Sequence, residues 1–196
     1  MDQHIAFGPE ETVILIVCLV WAFSEFVGGY IIPRLRGRGT VKARSDKGSS
    51  MVIWLSLFVS ITIVFFFGKN GITLLPDWFF YLGIPLMVAG IAFRQWAILV
   101  LGRFFSTTVK IISDHRIISN GPYRLIRHPT YAGSLLTLVG LGLASRTWGG
   151  TLVIAALFGL VYNYRISVEE KALKAEFGQE YVDYAGKTKR LIPFLL

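Results

Sequence analysis

This sequence has little charge, little histidine and almost no cysteine. Charged residues make up 16% of its 196 positions, against roughly a quarter in an ordinary soluble domain. The single cysteine, Cys18, excludes an intramolecular disulfide framework and a cysteine-based zinc site. His115 and His128 lie 13 positions apart with no His-x-x-His spacing, which predicts no metal centre. There is no serine nucleophile elbow. Gly140-Leu141-Gly142 sits inside an apolar run with no strand before it, so it is not a dinucleotide-binding turn. Acidic residues are also scarce: 12 against 20 basic ones, a net charge of +8. What the chain has in abundance is apolar surface, with 54% hydrophobic residues. A disordered chain has the opposite composition.

The apolar residues are concentrated in runs long enough to cross a bilayer, which takes about 20 residues in a helix. Val13–Ile32 carries one charge, Glu25; Met51–Phe67 carries none; Phe79–Leu101 carries one, Arg94. The run from Tyr131 to Tyr164 is too long for one span. It reads as two helices, 131–145 and 151–164, turning at Arg146–Gly150. The expected fold is therefore an all-α integral membrane protein with five transmembrane helices, as a single domain over residues 1–196. The flank of the first span bears Asp2, Glu10 and Glu11 and no basic residue, unlike a cleaved signal peptide. Its last four residues form no prenylation motif. Gly83, Pro85 and Gly90 predict a kink in the third span.

Charge placement gives an orientation. Arg34, Arg36, Arg38, Lys42, Arg44 and Lys47 crowd the loop 33–50, which the positive-inside rule assigns to the cytosol. Five spans then put the N-terminus outside and the C-terminus inside, with 17 of the 20 basic residues on the inner side. The positive charge thus reads as topology and attraction to anionic lipid. No nucleic-acid-binding motif accompanies it. Two polar stretches, 102–130 and 165–190, fall on that same side. Val168, Ala172, Leu173 and Phe177 form an apolar stripe, Glu170 and Lys174 an i,i+4 pair, and Gly178 a helix end. This stretch predicts a cytosolic continuation of the fifth helix that folds back toward the connector 102–130. The apolar ending, Arg190 to Leu196, is expected to pack on the domain or the interface.

Three groups of residues bear on chemistry. Arg94 and Glu25 are ionisable groups inside spans, where charge faces a polar cavity or a partner. Arg94 lies seven residues from its helix end, and a cavity role, an ion pair and a snorkelling side chain all fit it. The second group runs from Gly121 to Gly133. Pro129 suits the first position of the fourth helix, with His128 at its cap, where free N–H groups and the helix dipole attract anions. Arg124 and Arg127 add positive charge; Tyr123 and Tyr131 add flat faces and hydroxyls. The cluster suits a carboxylate joined to an aromatic ring, and equally suits a basic interfacial turn with belt aromatics. The third is Arg165 and Glu169, an i,i+4 pair at the inner end of the fifth helix, which an interfacial salt bridge also explains.

In combination these motifs are specific. Gly121-x-Tyr123-x-x-x-Arg127-His128-Pro129-x-Tyr131-x-Gly133, followed by Arg165-x-x-x-Glu169-Glu170-x-x-Leu173 and Phe177-Gly178-x-Glu180-Tyr181-x-x-Tyr184, resembles the isoprenylcysteine carboxyl methyltransferase family. The resemblance covers residues 94–190, and the chain looks like a minimal prokaryotic-type member. It implies S-adenosylmethionine as methyl donor, S-adenosylhomocysteine as product, and a lipidic carboxylate, prenylcysteine-like, as acceptor in a lipid bilayer. Carried over by position, the cofactor contacts are Lys110, His115, Arg116, Ile117, Ile118, Tyr123, His128, Pro129, Thr130 and Tyr131. Arg165 and Glu169 match the catalytic, substrate-side pair, and Arg94 falls near a family arginine on the substrate side. Alternative readings are a phospholipid N-methyltransferase, an NADPH-dependent sterol-type reductase, and a membrane scaffold or channel without activity.

Overall fold

The computed structural model describes residues 8–37, 41–44, 48–112 and 114–191, without the side chains of residues 43, 44, 49, 50 and 110. Helix α1, Pro9–Phe26, opens with Glu11 accepting the backbone N–H of Gly8, so the cap closes on itself. It widens into a π turn at Val27–Ile31 and resumes as α2, Ile32–Leu35. The widening has a local cause. Pro33 offers no N–H and crowds the carbonyl four residues back, and Gly28-Gly29 gives the backbone the freedom to absorb it. Helix α3 is Ser49–Lys69, α4 is Trp78–Leu101, α5 is Pro129–Ala144, α6 is Trp148–Phe177 and α7 is Gln179–Lys187.

Among the described residues, four helical stretches are long and apolar enough to cross a membrane: Pro9–Leu35, Met51–Lys69, Trp78–Phe104 and Trp148–Phe177. The fourth of the five expected spans, α5, is a shorter apolar helix of 16 residues, roughly 24 Å at 1.5 Å per residue. The turn before α6 is tighter than expected: only Ser145–Thr147 separate the helices, and Gly149 and Gly150 already lie in the first turn of α6. Thr147 caps that helix by accepting the N–H of Gly150. Helix α6 does continue past the apolar run, and Gly178, at φ 55°, ends it where a glycine was expected to.

The purely helical expectation needs one correction. Part of the basic loop 33–50 forms a strand, β1 (Val41–Arg44), antiparallel to β2 (Lys110–Ile112), with Val41 opposite Ile112. The ribbon ties the loop between the first two long helices to the connector after α4. Lys42 adds an ion pair to Glu176 of α6 at 3.1 Å. The expectation for residues 192–196 lies outside the described residues.

Helix α4 continues through Pro85, and the glycines expected to kink it also have a packing role. Gly83 and Gly90 face Gly140 and Gly133 of α5, which runs antiparallel. A Cβ on Gly90 would sit 2.5 Å from the Thr137 nitrogen and 2.8 Å from the Gly133 oxygen. One on Gly140 would sit 2.6 Å from the Met87 nitrogen. Hydrogen in place of a side chain lets the two backbones touch, which is how helices pack where lipid offers no hydrophobic contrast. Behind this pair, Trp21, Val64, Ile91, Leu138, Ile154, Phe158, Tyr162 and Ile166 form the larger apolar core. Large apolar side chains such as Phe23, Trp54, Phe58, Tyr81 and Leu160 point outward, a surface suited to lipid rather than water.

Candidate active site

The close α4–α5 pairing sets the depth of the site. Arg94 donates from Nη1 to the carbonyl of Thr130 at 2.9 Å, and the Arg94 nitrogen lies 2.8 Å from where a Gly133 Cβ would be. The first turn of α5 is therefore level with Arg94, seven residues and roughly 10 Å short of the end of α4. Above this recessed helix start the connector closes over. Gly102, at φ 58°, turns the chain through Gly102–Phe104. Next comes the β2 ribbon, then a second tight turn at Gly121–Arg124. Helix α7 folds back from the other side, as the sequence predicts. Tyr184 donates its hydroxyl to the Tyr123 carbonyl at 2.9 Å, and the backbones of Leu125, Arg127 and Lys189 pair directly.

Between these elements lies a cleft. It is lined by His115, Arg116, Ile117, Ile118, Tyr123, His128 and Thr130 of the expected cofactor set and by both Arg165 and Glu169. Pro129 is buried beneath it. Tyr131 sits behind the lining rather than on it, and the side chain of Lys110 lies outside the described residues. Apolar walls come from Phe104, Phe105, Val109, Ile111 and Leu173. Of these the sequence marks only Leu173, in the apolar stripe and the motif; for the others the Phe104-Phe105 pair after Gly102 was the available signal.

Arg94 is not in the cleft. Its guanidinium is held by both carboxylate oxygens of Glu25, through Nε and through Nη2, the latter at 2.6 Å, and stands 5.9 Å over the Phe105 ring. The two charges that the sequence left separate are thus one ion pair between α1 and α4. Gln95 adds a second tie by donating to Ser24 at 3.1 Å.

His128 caps α5 and is 4% exposed. Its Nε2 lies 3.1 Å from Glu170 Oε1, the same oxygen that accepts Arg127 Nε at 2.7 Å. Arg190 approaches Glu170 Oε2 at 3.4 Å. Glu170, expected as the i,i+4 partner of Lys174, is therefore the hub joining α6, the turn before α5 and the chain after α7. Its neighbour Glu169 points elsewhere. Tyr131 donates its hydroxyl to Glu169 Oε2 at 2.8 Å and accepts from Arg165 Nε at 3.1 Å. Arg165 is 2% exposed and also donates to the Thr107 carbonyl at 3.0 Å. The i,i+4 pair is thus bridged through a third side chain.

Three polar atoms around the cleft are buried without a hydrogen-bonding partner among the described residues: His115 Nδ1, Tyr123 Oη and Tyr181 Oη. The His115 ring stacks on Phe104 at 5.0 Å and meets Phe177 edge-on at 5.6 Å. Burial pushes its pKa below the ordinary imidazole value, and the pull of Glu169, Glu176 and Asp114 in the other direction is weaker. His115 is therefore neutral at pH 7. Burial likewise pushes the Tyr123 phenol well above its usual range, with Glu169 adding to the effect, so it stays protonated. The cleft thus offers neutral polar atoms at one side and the Arg165–Glu169 pair at the other. Among the described residues no group of three or more His, Cys, Asp or Glu side chains is placed to hold a metal ion.

Comparison with known proteins bears on this geometry. Residues 82–175 match the model of the isoprenylcysteine carboxyl methyltransferase (ICMT) family. A probable protein-S-isoprenylcysteine O-methyltransferase of Oryza sativa subsp. indica is 33% identical over 121 residues, 60% of this chain and 63% of that protein. Protein-S-isoprenylcysteine O-methyltransferase B of Arabidopsis thaliana is 31% identical over 120 residues, 60% of this chain and 61% of that one. The alignments thus span a little under two thirds of these relatives' own lengths. The fold is similar to that of a eukaryotic intramembrane Ras methyltransferase, isoprenylcysteine carboxyl methyltransferase, with a TM-score of 0.70 and 22% identity, over 97% of this chain and 70% of that one. The matched stretch contains most of the cleft, from Leu101 to Leu173.

Proposed function

We propose, from the match of residues 82–175 to the methyltransferase family, that this chain transfers a methyl group from S-adenosylmethionine to a lipidic carboxylate, such as that of an isoprenylated cysteine, at the cytosolic face of a membrane. One observation carries the reading: the parts of the motif that are far apart in sequence, the connector, the His128 cap and the foot of α6, line one cleft. The basic loop and connector face the cytosol by the charge rule, and the N-terminus lies on the opposite side.

The cleft fits the donor on its own residues. His115 Nδ1 and Tyr123 Oη are buried and lack partners among the described residues, and a buried polar atom left so costs about 1–3 kcal/mol. A ligand rich in polar atoms and carrying a flat ring satisfies them. His115, with the backbone of residues 116–118 and Tyr123, would hold the adenosine. His128 and Thr130, at the N-terminus of α5, would hold the amino-acid portion, where the helix end favours a carboxylate. When bound, S-adenosylmethionine supplies a methyl group activated by its sulfonium charge.

The acceptor needs no base. A carboxyl group is already ionised at pH 7, so this chain's residues have only to orient it and keep water away. Arg165 would orient the carboxylate by charge-assisted hydrogen bonds, and Glu169 would fix Arg165 or the acceptor's amide. Holding the two reactants together is worth up to about 7–11 kcal/mol in favourable cases. The recessed start of α5 supports this division: a lipid chain lies among apolar helices while the polar donor approaches through the connector.

The test is calorimetric titration of S-adenosylhomocysteine into the purified protein in detergent, beside His128→Ala. Saturable binding that the variant loses supports the reading. Absence of binding to the folded wild type overturns it. Methyl transfer to an N-acylated S-prenyl cysteine, but not to phosphatidylethanolamine, then separates carboxyl from amine acceptors.

A further inference from the structure

Arg165 and Glu169 stand one helical turn apart on α6, the spacing at which opposite charges ordinarily close on each other. Here the Tyr131 hydroxyl lies between them. The directions of the two bonds follow from the chemistry. An ionised carboxylate only accepts and a guanidinium only donates, so the single Tyr131 proton goes to Glu169 and a Tyr131 lone pair takes Arg165 Nε–H. The one donor and the acceptor of the phenol are spent on these two side chains. The ring is fixed independently, 5.0 Å from Tyr162 and 5.8 Å from His128. Three residues earlier on the same helix turn, His128 meets Glu170. The first turn of α5 is therefore joined to α6 by two rungs, one at each of two adjacent carboxylates.

We infer that Tyr131 is a positioning residue for the acceptor side of the site: its hydroxyl holds Arg165 and Glu169 apart, so that Arg165 presents to an acceptor carboxylate instead of closing on Glu169. This departs from the role the motif resemblance implies for Tyr131, a cofactor contact, and it rests on the methyltransferase reading above. Removing the hydroxyl takes the donor from Glu169 and one acceptor from Arg165, and it lets two opposite charges one helical turn apart move toward each other. The donor side, around His115, Tyr123 and His128, does not depend on that hydroxyl.

Tyr131→Phe in the full chain tests this. The expected result is a Kd for S-adenosylhomocysteine within threefold of wild type, with kcat for an N-acylated S-prenyl cysteine lowered about tenfold or more and its KM raised, the range expected for loss of a hydrogen bond to a charged group. A protein disturbed only in its packing does not separate donor affinity from acceptor kinetics in this way. Weakened S-adenosylhomocysteine binding in the variant, or acceptor kinetics like those of wild type, overturns the assignment. Where Tyr131→Phe does not purify folded, Glu169→Leu removes the acceptor of the same contact, and a split absent there overturns the assignment too. A wild-type protein that methylates no prenylcysteine overturns the functional reading itself, and that outcome is seen before any variant is compared.

Discussion

Removing Arg165 and removing Glu169 leave different things behind. Arg165 is buried, and Arg165→Ala leaves the Thr107 carbonyl and the Tyr131 oxygen without that donor. Glu169→Ala leaves the Tyr131 proton without its acceptor. Each loss is worth about 2–3 kcal/mol where a charge is involved, on the order of a hundredfold in rate if it falls on the transition state. Both variants are expected to lose methyl transfer by about that factor while S-adenosylhomocysteine still titrates. Turnover retained in both sinks the roles given to them. His115 supports a different measurement. Its folded-state pKa lies below the ordinary value of 6.5 because burial disfavours the imidazolium. Below pH 6.5 the unfolded chain therefore takes up a proton that the folded chain resists, and this contribution to stability is lost as pH falls toward the folded pKa. Melting temperature in detergent should drop between pH 7.5 and 5, and less steeply in His115→Phe. Parallel slopes would remove His115 from the acid response.

At the scale of helices, some glycines lie against a neighbouring backbone and others against nothing. Gly90→Val drives a side chain into the Thr137 nitrogen and the Gly133 carbonyl. Overpacking of that kind costs about 1–3 kcal/mol or more, and thermal melts should show it as a fall of several degrees or a failure to fold. Gly159, in the interior of α6 with nothing within 4 Å of an added Cβ, makes the control: Gly159→Ala leaves the melting temperature unchanged or slightly raised. Equal effects at the two positions would mean that the α4–α5 contact does not depend on small residues. These glycines also mark where the sequence was legible. Apolar runs place helix cores, because a bilayer demands about 20 residues, and the cap at His128 and the stop at Gly178 follow from local backbone chemistry. The partner of a glycine face is a tertiary fact, so Gly83 and Gly90 read as a kink. The β1–β2 ribbon was hidden for a similar reason: Val41–Arg44 is short, basic and half polar, and becomes a strand only because residues 110–112 lie beside it. The charges of Glu25 and Arg94, 69 positions apart, likewise meet only once α1 packs on α4.

At the scale of the whole molecule, α5 is the short member of the bundle. Its 16 residues fall short of the bilayer core: one end lies at an end of the bundle and the other stops short of the opposite end. The Arg146 end is tied to the turn before α4: the Leu75 nitrogen donates to the Arg146 carbonyl at 2.7 Å, and the Arg146 guanidinium pairs with Asp77. The His128 end is level with Arg94. Helix α5 therefore covers the distance that α4 covers from its start to Arg94, and the missing length is the recess that holds the cleft. A short span with a water-reachable end costs little where irregular backbone is buried in protein. The chain offers a direct test, because Cys18 is its one thiol. In a Cys18→Ala background, Lys69→Cys and Lys187→Cys each place a single exposed thiol, with α4, α5 and α6 between them. Three crossings put the two on opposite sides of the membrane and two crossings put them on the same side. An impermeant maleimide applied to sealed vesicles of known orientation should label Lys187→Cys only from the cytosolic face and Lys69→Cys only from the other. Labelling of both from one face would make α5 a re-entrant helix, and labelling in the reverse sense would invert the orientation drawn from the basic loop.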